Sequence, residues 1–530
     1  MRGTGSFALL RMTLQIKCKS KSKIKRKRKG KGKGKGKGKG KGKGNYPRLA
    51  KRGRTWGARA RAGDGRLMDV KMDEERCEAI FQRVRRAAEA GDIEVTVQGG
   101  RSALTRFANN GITQNVSEEG CEVSVRVQMG GRTARATTNR LDDESLHRVV
   151  RQAEALARVQ EEEPALLPML TEAEQGGAPE VDRYCEETAA MSAGERADQV
   201  AEMVAVAHRE GLNSAGIYSC GESFEGLFNS HGVARWHRQT LAEASVTMQA
   251  PDSSGWQKQN YTSARRLDAR RLAEIAAEKA LRSAAPVELA PGKYTVILEP
   301  SAVVDLIGFL AADFSGLALL EQRSCLNGRM GTKLFGENIS IVDDVSHAEQ
   351  RGAGFDGEGV GRQKLTLVEN GVVRDVAMAR GTAARIRQSE LAQKLKMARA
   401  TGHGFSLPNE GGEAATNIVF KVARGEAKTV EEMISRTERG LLVTRLWYIR
   451  EVDAYEKILT GMTRDGTFVV EDGKVGKGIR NFRFNQSVVQ MLRQVLDLGE
   501  PMRACGEEAF DMVAPAMRVE GFQFTETTRF

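Results

Sequence analysis

The chain has 530 residues, which is enough for two to four domains with a large apolar core. Its net charge of +13 is confined to one end, because residues 1–67 hold 25 Lys and Arg against one acidic residue, whereas the rest carries 57 basic and 68 acidic residues. The body of the chain is therefore mildly acidic, and an argument for nucleic-acid binding from a high pI applies to residues 1–67 alone.

Seven cysteines are scattered along the chain, and no two of them form a CxxC pair. This pattern indicates neither a disulfide framework nor a structural zinc site, and it fits a reducing compartment. No apolar run approaches the roughly 20 residues that a membrane-spanning helix needs. The apolar stretch near the start is too short for a secretory signal and lacks a small-residue cleavage site. We therefore expect a cytoplasmic protein that makes no contact with a membrane.

Residues 29–44 alternate lysine and glycine. Such a sequence repels itself and cannot bury apolar area, so residues 1–67 are predicted to be disordered. One interpretation is an electrostatic arm for nucleic acid or anionic lipid, whose binding would be sensitive to salt. The other is a misassigned start, with translation beginning at Met68 or Met72 and the tail absent from the mature protein. Nucleic acid is expected as a partner only if the tail is real.

The first folded segment is predicted over residues 73–160 as an α+β domain. Asp73 is a suitable N-cap for a helix over 74–90, in which apolar residues recur at helical spacing. Alternating apolar and polar residues follow, interrupted by the turn-forming pairs Asn110-Gly111 and Gly130-Gly131. These features predict an antiparallel meander between two helices, the second of which Asp142 begins.

A second α+β domain is predicted over residues 181–285. Residues 161–180 hold three prolines among acidic residues, which is typical of a linker. Ser192 and Glu195 form a capping-box pattern at the start of the next helix. Strand-like segments then lead to a second helix over 267–283.

The third predicted domain covers residues 292–525 and is mainly β. It begins with a short buried-type strand at 294–298, and Ser301 caps a helix over 302–314 that is apolar nearly all round. This helix should therefore lie at the centre of the core. Asn485 is predicted to cap a last helix over 486–498. The whole chain is thus predicted to be α+β, with helix-plus-meander units followed by a β-rich domain around a central buried helix.

The stretch 441–484 contains two strand-like segments and the pairs Asp465-Gly466 and Asp472-Gly473, both of which favour tight hairpin turns. Strands that fold back in this way should bring Arg445, Arg450, Arg464 and Asp465 together. One interpretation is a binding site for an acidic or peptide-like ligand. The alternative is a solvated, ion-paired strand face.

Two glycine-rich segments supply the other candidate substrate-binding residues. Asp356 and Glu358 lie two apart in FDGEG, where an extended backbone would place both carboxylates on one face for acid–base work or for holding a peptide amine. The alternative is a tight turn that shapes the wall of a cleft. His403 lies between two glycines and could contact substrate near neutral pH or support a neighbouring strand.

Six short motifs occur in the order and spacing of one known family. They are YTVILEP (294–300), FDGEG (355–359), LVENGVV (367–373), ATGHGF (400–405), GLLVTR (440–445) and EDGK (471–474). Together they resemble the TldD/PmbA family, also called modulator-of-gyrase peptidases, over roughly residues 73–525. GMTRDGTF (461–468) is most similar to the PmbA branch, also called TldE.

The resemblance implies a heterodimeric peptidase in which the TldD-type subunit binds zinc through an HExxxH helix. The equivalent helix here, 302–314, contains no histidine, and its acidic residues are Asp305 and Asp313. Cys505 lies near the position of the partner's cysteine ligand. The resemblance therefore implies a metal-free subunit with no catalytic residues or cofactor of its own, which pairs with a zinc-bearing TldD-like subunit and guides an unfolded peptide. The alternative is a non-enzymatic homodimeric binding or scaffold protein with the same fold.

Overall fold

In the computed structural model, the described residues are 72–393, 395, 398–423 and 425–528. The predicted Lys-Gly tail and Met68 lie outside them. Residues Asp73–Phe530 group as one unit. Among the described residues, no helix is both long enough and apolar enough to cross a membrane.

The first half of the described chain builds one antiparallel sheet of six strands in the order β3-β2-β1-β4-β5-β6. Its strands are β1 (Asp92–Ala108), β2 (Gly111–Met129), β3 (Arg132–Thr138), β4 (Asn213–Asn229), β5 (Ala234–Gln249) and β6 (Ser254–Tyr261). Its helices are α1 (Glu74–Ala87), α2 (Asp143–Val159), α3 (Glu186–Ala190), α4 (Ala193–Arg209) and α5 (Ala269–Arg282).

Local sequence signals set the ends of these helices. The side chains of Asp73 and Asp142 accept hydrogen bonds from the first turns of α1 and α2, and Ser192 with Glu195 forms the predicted capping box of α4. The pairing of the strands is not local. β1 pairs with β4 along nearly its whole length, so the two segments predicted as α+β units share one sheet.

The second half is mainly β and carries shorter helices. Its helices are α6 (Pro300–Ala311), α7 (Gly316–Leu320), α8 (Arg380–Arg387), α9 (Val430–Ser435) and α10 (Val488–Arg493). Its first strands are β7 (Lys293–Leu298), β8 (Ser340–Asp343), β9 (Leu365–Glu369), β10 (Val372–Val373), β11 (Ile418–Lys421) and β12 (Arg439–Asp453). They are followed by β13 (Ile458–Glu471), β14 (Lys474–Gly478), β15 (Phe482–Ser487), β16 (Val495–Leu498), β17 (Met502–Ala504), β18 (Met512–Ala514) and β19 (Met517–Thr527).

Two further sheets enclose helix α6. One has the order β10-β9-β8-β11-β18-β17, and the other has the order β12-β7-β19-β15-β13-β14. Because β12 also pairs with β13, five strands of the second sheet form a closed ring of pairings. Val303, Leu306 and Leu310 of α6 are fully buried in the largest apolar cluster. The predicted α+β class with a central buried helix is therefore confirmed.

Three local predictions in this half are wrong. Ser301 does not cap the central helix, because α6 begins at Pro300 with Glu299 as its N-cap. Asp472-Gly473 does connect β13 to β14, but Asp465-Gly466 lies inside β13, where the single residue Thr444 of β12 faces both of them. The φ angles of 53° and 125° mark this pair as a β-bulge. The predicted last helix over 486–498 is instead the short helix α10 between two strands. It is capped by Ser487 rather than Asn485, because β19 recruits both flanking segments as strands β15 and β16.

Candidate functional site

The last strand of the first sheet, β6, carries a set of side chains that contact the second half of the chain. Alternate residues of a strand project to the same face, and Ser254, Trp256, Lys258 and Asn260 follow this period of two. Each of the four contacts a residue of the C-terminal half. Their partners are Asp465 for Ser254, Arg445 for Trp256, Gly506 for Lys258 and Asp511 for Asn260. We call these four residues the β6 contact face.

The β-bulge in β13 places Asp465 beside two arginines. The Asp465 carboxylate lies 3.3 Å from Nε of Arg445 and 3.5 Å from Nε of Arg464, and it accepts a 2.5 Å hydrogen bond from the Ser254 hydroxyl. The Arg445 guanidinium is stacked between two indole rings, 4.4 Å from the centroid of Trp256 and 5.2 Å from that of Trp447. Arg445 and Asp465 are buried, whereas the Arg464 side chain is 48% exposed.

Arg450 does not join this group. The pairing of β12 with β13 has a second register shift between Trp447 and Arg450, and the Arg450 side chain points away from Asp465. It stacks on Tyr448 and lies 3.5 Å from Glu508. The structure thus brings together Arg445, Arg464 and Asp465 of the predicted charged group. They meet through a bulge rather than through a hairpin turn.

Helix α6 presents one carboxyl group near the same place. Oδ1 of Asp305 accepts hydrogen bonds of 2.9 Å from the backbone N–H groups of Glu507 and Glu508, and Oδ2 is buried without a hydrogen-bond partner among the described residues. Burial raises the pKa of Asp305 to about 7, because it outweighs the two hydrogen bonds that favour the ionised form. A Cβ atom on Gly506 would lie 2.5 Å from Oδ1, so this close approach requires glycine.

Lys258 brings a cation to the segment that follows β17. Its ammonium lies 3.4 Å from the Glu243 carboxylate of β5 and 4.0 Å from that of Glu507, and it donates to the carbonyl of Gly506 at 3.4 Å. The adjacent Cys505 is buried, and burial, followed by the charge of Asp511, raises the pKa of its thiol. Cys505 is therefore a protonated thiol beside an ion pair.

The other predicted residues form a separate group where two glycine-rich loops meet. Asp356 accepts hydrogen bonds from the backbone of Glu358 and Val360, both 3.0 Å, and from Gly404 at 2.7 Å. These bonds hold FDGEG in a tight turn and tie it to the loop that contains His403. They are the contacts that the turn-shaping interpretation of Asp356 requires.

Glu358 is the second buried carboxyl group of the pair. Its side chain is buried, with the Arg380 guanidinium 3.6 Å away. Burial and then the charge of Asp356 raise the pKa of Glu358 to about 7, against the opposing charges of Arg380 and Arg126. The two carboxylates do influence each other, as their spacing predicts. Their role in binding substrate stays a prediction.

His403 is buried and both of its ring nitrogens are engaged. Nδ1 lies 2.8 Å from the carbonyl oxygen of Thr401, and Nε2 lies 3.0 Å from Oδ1 of Asp343. The Thr401 hydroxyl also lies 3.0 Å from Nδ1, so the ring is held between Thr401 and Asp343. These contacts fit the supporting role that the sequence left open, and substrate contact by His403 stays a prediction.

The first test addresses the link between β6 and the bulge. Ser254→Ala removes a hydrogen bond to a buried carboxylate and should lower the free energy of unfolding by about 2 kcal/mol in urea denaturation. Ser253→Ala is the matched control, because Ser253 is similarly half-buried but donates to the neutral carbonyl of Ala280 at 2.7 Å. It should cost about 1 kcal/mol or less. If Ser254→Ala costs no more stability than Ser253→Ala, the Ser254 hydroxyl does not stabilise the Asp465 carboxylate.

Sequence reasoning missed the β6 contact face. Three of its four members, Ser254, Lys258 and Asn260, are polar, so this face has no apolar pattern that would mark it as buried. Each of these polar groups is compensated by a partner from beyond residue 440. A local pattern cannot show that compensation.

Comparisons with known proteins cover most of the described chain. Three family models match in order: PmbA/TldA metallopeptidase domain 1 over residues 93–157, the central domain over 174–284 and the C-terminal domain over 291–526. The β6 contact face, the residues around Asp305 and Asp465, and the two glycine-rich loops all lie within these matched regions.

Individual relatives are distant. An uncharacterised protein of Methanocaldococcus jannaschii is 32% identical over 229 residues, which is 42% of this chain and about half (52%) of that protein. A metalloprotease PmbA homolog of Haemophilus influenzae is 22% identical over 81% of this chain and 92% of its own length. The crystal structure of TldE from Thermococcus kodakarensis has the same fold, with a TM-score of 0.73, 19% identity, and coverage of 85% of this chain and 99% of that one. Because models of three successive domains of one family match in order, this chain belongs to the PmbA/TldD metallopeptidase family.

Proposed function

We propose that this chain is the metal-free subunit of a two-subunit peptidase that cleaves unfolded peptides, with zinc and the catalytic groups in a TldD-like partner. The observation that carries the proposal is the set of side chains on and around helix α6. A catalytic zinc site needs three protein ligands with free donor atoms in a fixed geometry. The following contacts argue that this chain does not provide them.

The residues near α6 do not fit a zinc ion. Helix α6 has no histidine and one carboxylate, Asp305, and Asp313 lies just after the helix. Asp305 is turned to the backbone N–H groups of 507 and 508, and Asp313 lies 2.5 Å from the ammonium of Lys457. Two cysteines lie nearby: Cys325, whose backbone N–H donates to Asp313, is a buried thiol whose pKa is raised mainly by burial, and Cys505 is a buried thiol next to the ammonium of Lys258. A second cation placed there would be repelled, so no step of peptide hydrolysis is assigned to this chain.

The proposed contribution of the chain is to enclose and guide the peptide. Of the six candidate substrate-binding residues, Asp356, Glu358, His403, Arg445 and Asp465 are buried, and Arg464 is the exposed one. Arg464 stacks on Trp447 with a distance of 4.9 Å to the ring centroid. We therefore assign direct contact with a peptide to Arg464 and Trp447, and the support of that surface to the buried charges behind them.

Co-purification tests the proposal. The chain is produced alone and together with a family member that carries HExxxH on the equivalent helix, and bound zinc and cleavage of an unstructured peptide are measured. We expect no zinc and no cleavage for the chain alone, and one zinc and rapid cleavage for the complex. A partner with its HExxxH glutamate changed to glutamine is the control, because it keeps the zinc ligands and removes the group that activates water.

Two results would overturn the proposal. Zinc binding and cleavage by the chain alone would contradict the metal-free role. Failure to pair with any zinc-bearing subunit, together with a stable homodimer and no effect on cleavage, would favour the non-enzymatic scaffold protein. The proposed location of the complex is the cytoplasm.

A further inference from the structure

Two tryptophans and two arginines form a stack that leads from the interior of the protein to its surface. The Arg445 guanidinium lies 4.4 Å from the ring centroid of Trp256 and 5.2 Å from that of Trp447, and the Arg464 guanidinium lies 4.9 Å from the same Trp447 ring. Trp256 and Arg445 are buried, Trp447 is half-buried, and Arg464 is the exposed member. Arg464 is therefore a surface cation that is supported from the interior of the protein. We call these four residues the Trp–Arg stack.

The terminal amino groups of Arg464 are available to a ligand. A guanidinium group has five N–H donors in a planar fork. Among the described residues, the one carboxylate within ion-pair distance of Arg464 is that of Asp465, which approaches Nε and is shared with Nε of Arg445. The other oxygen of Asp465 accepts the hydrogen bond from Ser254. The terminal amino groups of Arg464 make no hydrogen bond to another described residue, and they lie at the exposed end of the stack.

The two arginines of the stack differ in how their charges are compensated. Arg445 and Arg464 occupy directly opposite positions of β12 and β13, and like charges in such positions destabilise a sheet. The charges of Asp465, Glu507 and Asp305 all favour the charged form of Arg445, which is buried among them. Arg464 has only its share of Asp465 within ion-pair distance in the described part of the chain. The exposed end of the stack is therefore a place where a further anion would be stabilised.

We propose that Arg464 binds a carboxylate group of the peptide, which is either the side chain of an aspartate or glutamate or the C-terminal carboxylate. A planar guanidinium binds both oxygens of a carboxylate through two parallel hydrogen bonds. The stack favours this contact, because an arginine that is already held against an aromatic ring loses less conformational freedom when it binds. The inference rests on the proposed function, in which this chain guides a peptide, and it names the chemical group by which the peptide is recognised.

Binding of labelled peptides, measured by fluorescence anisotropy, tests the proposal. Three unstructured peptides of one length are compared: one with a single glutamate and a C-terminal amide, one with glutamine instead and a free C-terminal carboxylate, and one with glutamine and a C-terminal amide. Each is titrated with the full chain alone and with its complex with the inactive HExxxH-glutamine partner. We expect at least one charged peptide to bind the wild type about tenfold more tightly than the neutral peptide. The charged peptide that shows this preference identifies the source of the carboxylate.

Variants of the full chain assign the preference to one residue. Arg464→Gln should bind the three peptides equally, because glutamine is polar but has no positive charge. Arg464→Lys should keep only part of the preference, since an ammonium group cannot form the two parallel hydrogen bonds. Arg480→Gln is the matched control, because Arg480 is also 48% exposed but pairs with Glu288 at 3.4 Å and lies outside the stack. It should keep the full preference, and thermal unfolding checks that every variant is folded.

The outcome is separable from that of the peptidase assay. A wild type that does not prefer either charged peptide, or a preference that survives Arg464→Gln, would overturn the role of Arg464. A chain that shows the preference by itself but never supports cleavage by a zinc-bearing partner would overturn the proposed function and leave the role of Arg464 standing. A complex that cleaves peptides rapidly but binds charged and neutral peptides equally would overturn the role of Arg464 alone.

Discussion

Replacement of His403 by alanine is expected to lower the free energy of unfolding by about 3–5 kcal/mol, because the buried carboxylate of Asp343 loses its ion-pair partner and keeps only the more distant charge of Arg362. Both side chains are almost completely inaccessible, at 0% and 1% exposure. After the substitution, Asp343 would keep one hydrogen bond, from the backbone N–H of Asn417 at 2.8 Å. Urea denaturation near neutral pH measures the loss.

A second histidine provides the control for this experiment. His231 and Asp92 form a pair of similar length, 2.7 Å, but both side chains are more than a third exposed. Solvent screens such a pair, so His231→Ala should change the free energy of unfolding by about 0.5 kcal/mol or less. Equal effects at the two histidines would contradict the view that burial makes the His403 pair important.

The same pair predicts a dependence on acid. Burial by itself raises the pKa of Asp343, but the charge and hydrogen bond of His403 outweigh it and hold this pKa at about 2. A carboxyl group whose pKa is lower in the folded state stabilises the protein above its ordinary pKa, and the stabilisation is lost as pH falls toward the folded value. The difference between wild type and His403→Ala should therefore shrink between pH 4 and pH 2.

Asp305→Asn, in contrast to His403→Ala, is expected to raise the free energy of unfolding at alkaline pH. The pKa of Asp305 is about 7 in the folded protein, above its ordinary value of 3.8. Between these two values the unfolded chain releases a proton that the folded chain keeps, so rising pH favours unfolding. This difference in pKa destabilises the folded protein by about 4 kcal/mol at pH 8. The Asp305→Asn variant has no carboxyl group at this position and avoids that cost. Asparagine can still accept the hydrogen bonds from residues 507 and 508.

The measurement is the free energy of unfolding of wild type and Asp305→Asn at pH 4.5 and pH 8. The two proteins should be similar at pH 4.5, and the variant should be more stable at pH 8. Asp313→Asn is the control from the same helical region, because it breaks a buried pair with Lys457 and should destabilise the protein at both pH values. A variant at position 305 that is less stable than wild type at pH 8 would contradict a raised pKa of Asp305 in the folded protein.

Local signals in the sequence predicted the helices well because their causes are local. Capping side chains such as Ser192 act within one turn, and the apolar surface of α6 identifies a core helix without knowledge of its neighbours. The ordered motifs also predicted the family, which the domain matches confirmed. The pairing of β1 with β4, by contrast, joins residues more than 100 positions apart.

The candidate site was harder to predict because its contacts depend on such long-range pairings. Asp465-Gly466 has the composition of a hairpin turn, and its place opposite Thr444 makes it a bulge. That bulge turns the Asp465 carboxylate toward Ser254, which comes from a different sheet. Asp305 and Lys258 likewise gain their importance from the segment 505–511, whose sequence alone does not specify where it docks.

The position of β19 in the ring of strands has a consequence for synthesis of the protein. This eleven-residue strand lies between β7 and β15, so the ring of five strands cannot close until Met517–Thr527 has left the ribosome. Helix α6 is translated about 200 residues earlier and is apolar nearly all round. Throughout that interval the apolar cluster that α6 shares with Met517, Val519 and Phe522 is incomplete, so we expect the surface of this helix to be prone to aggregation in the nascent chain.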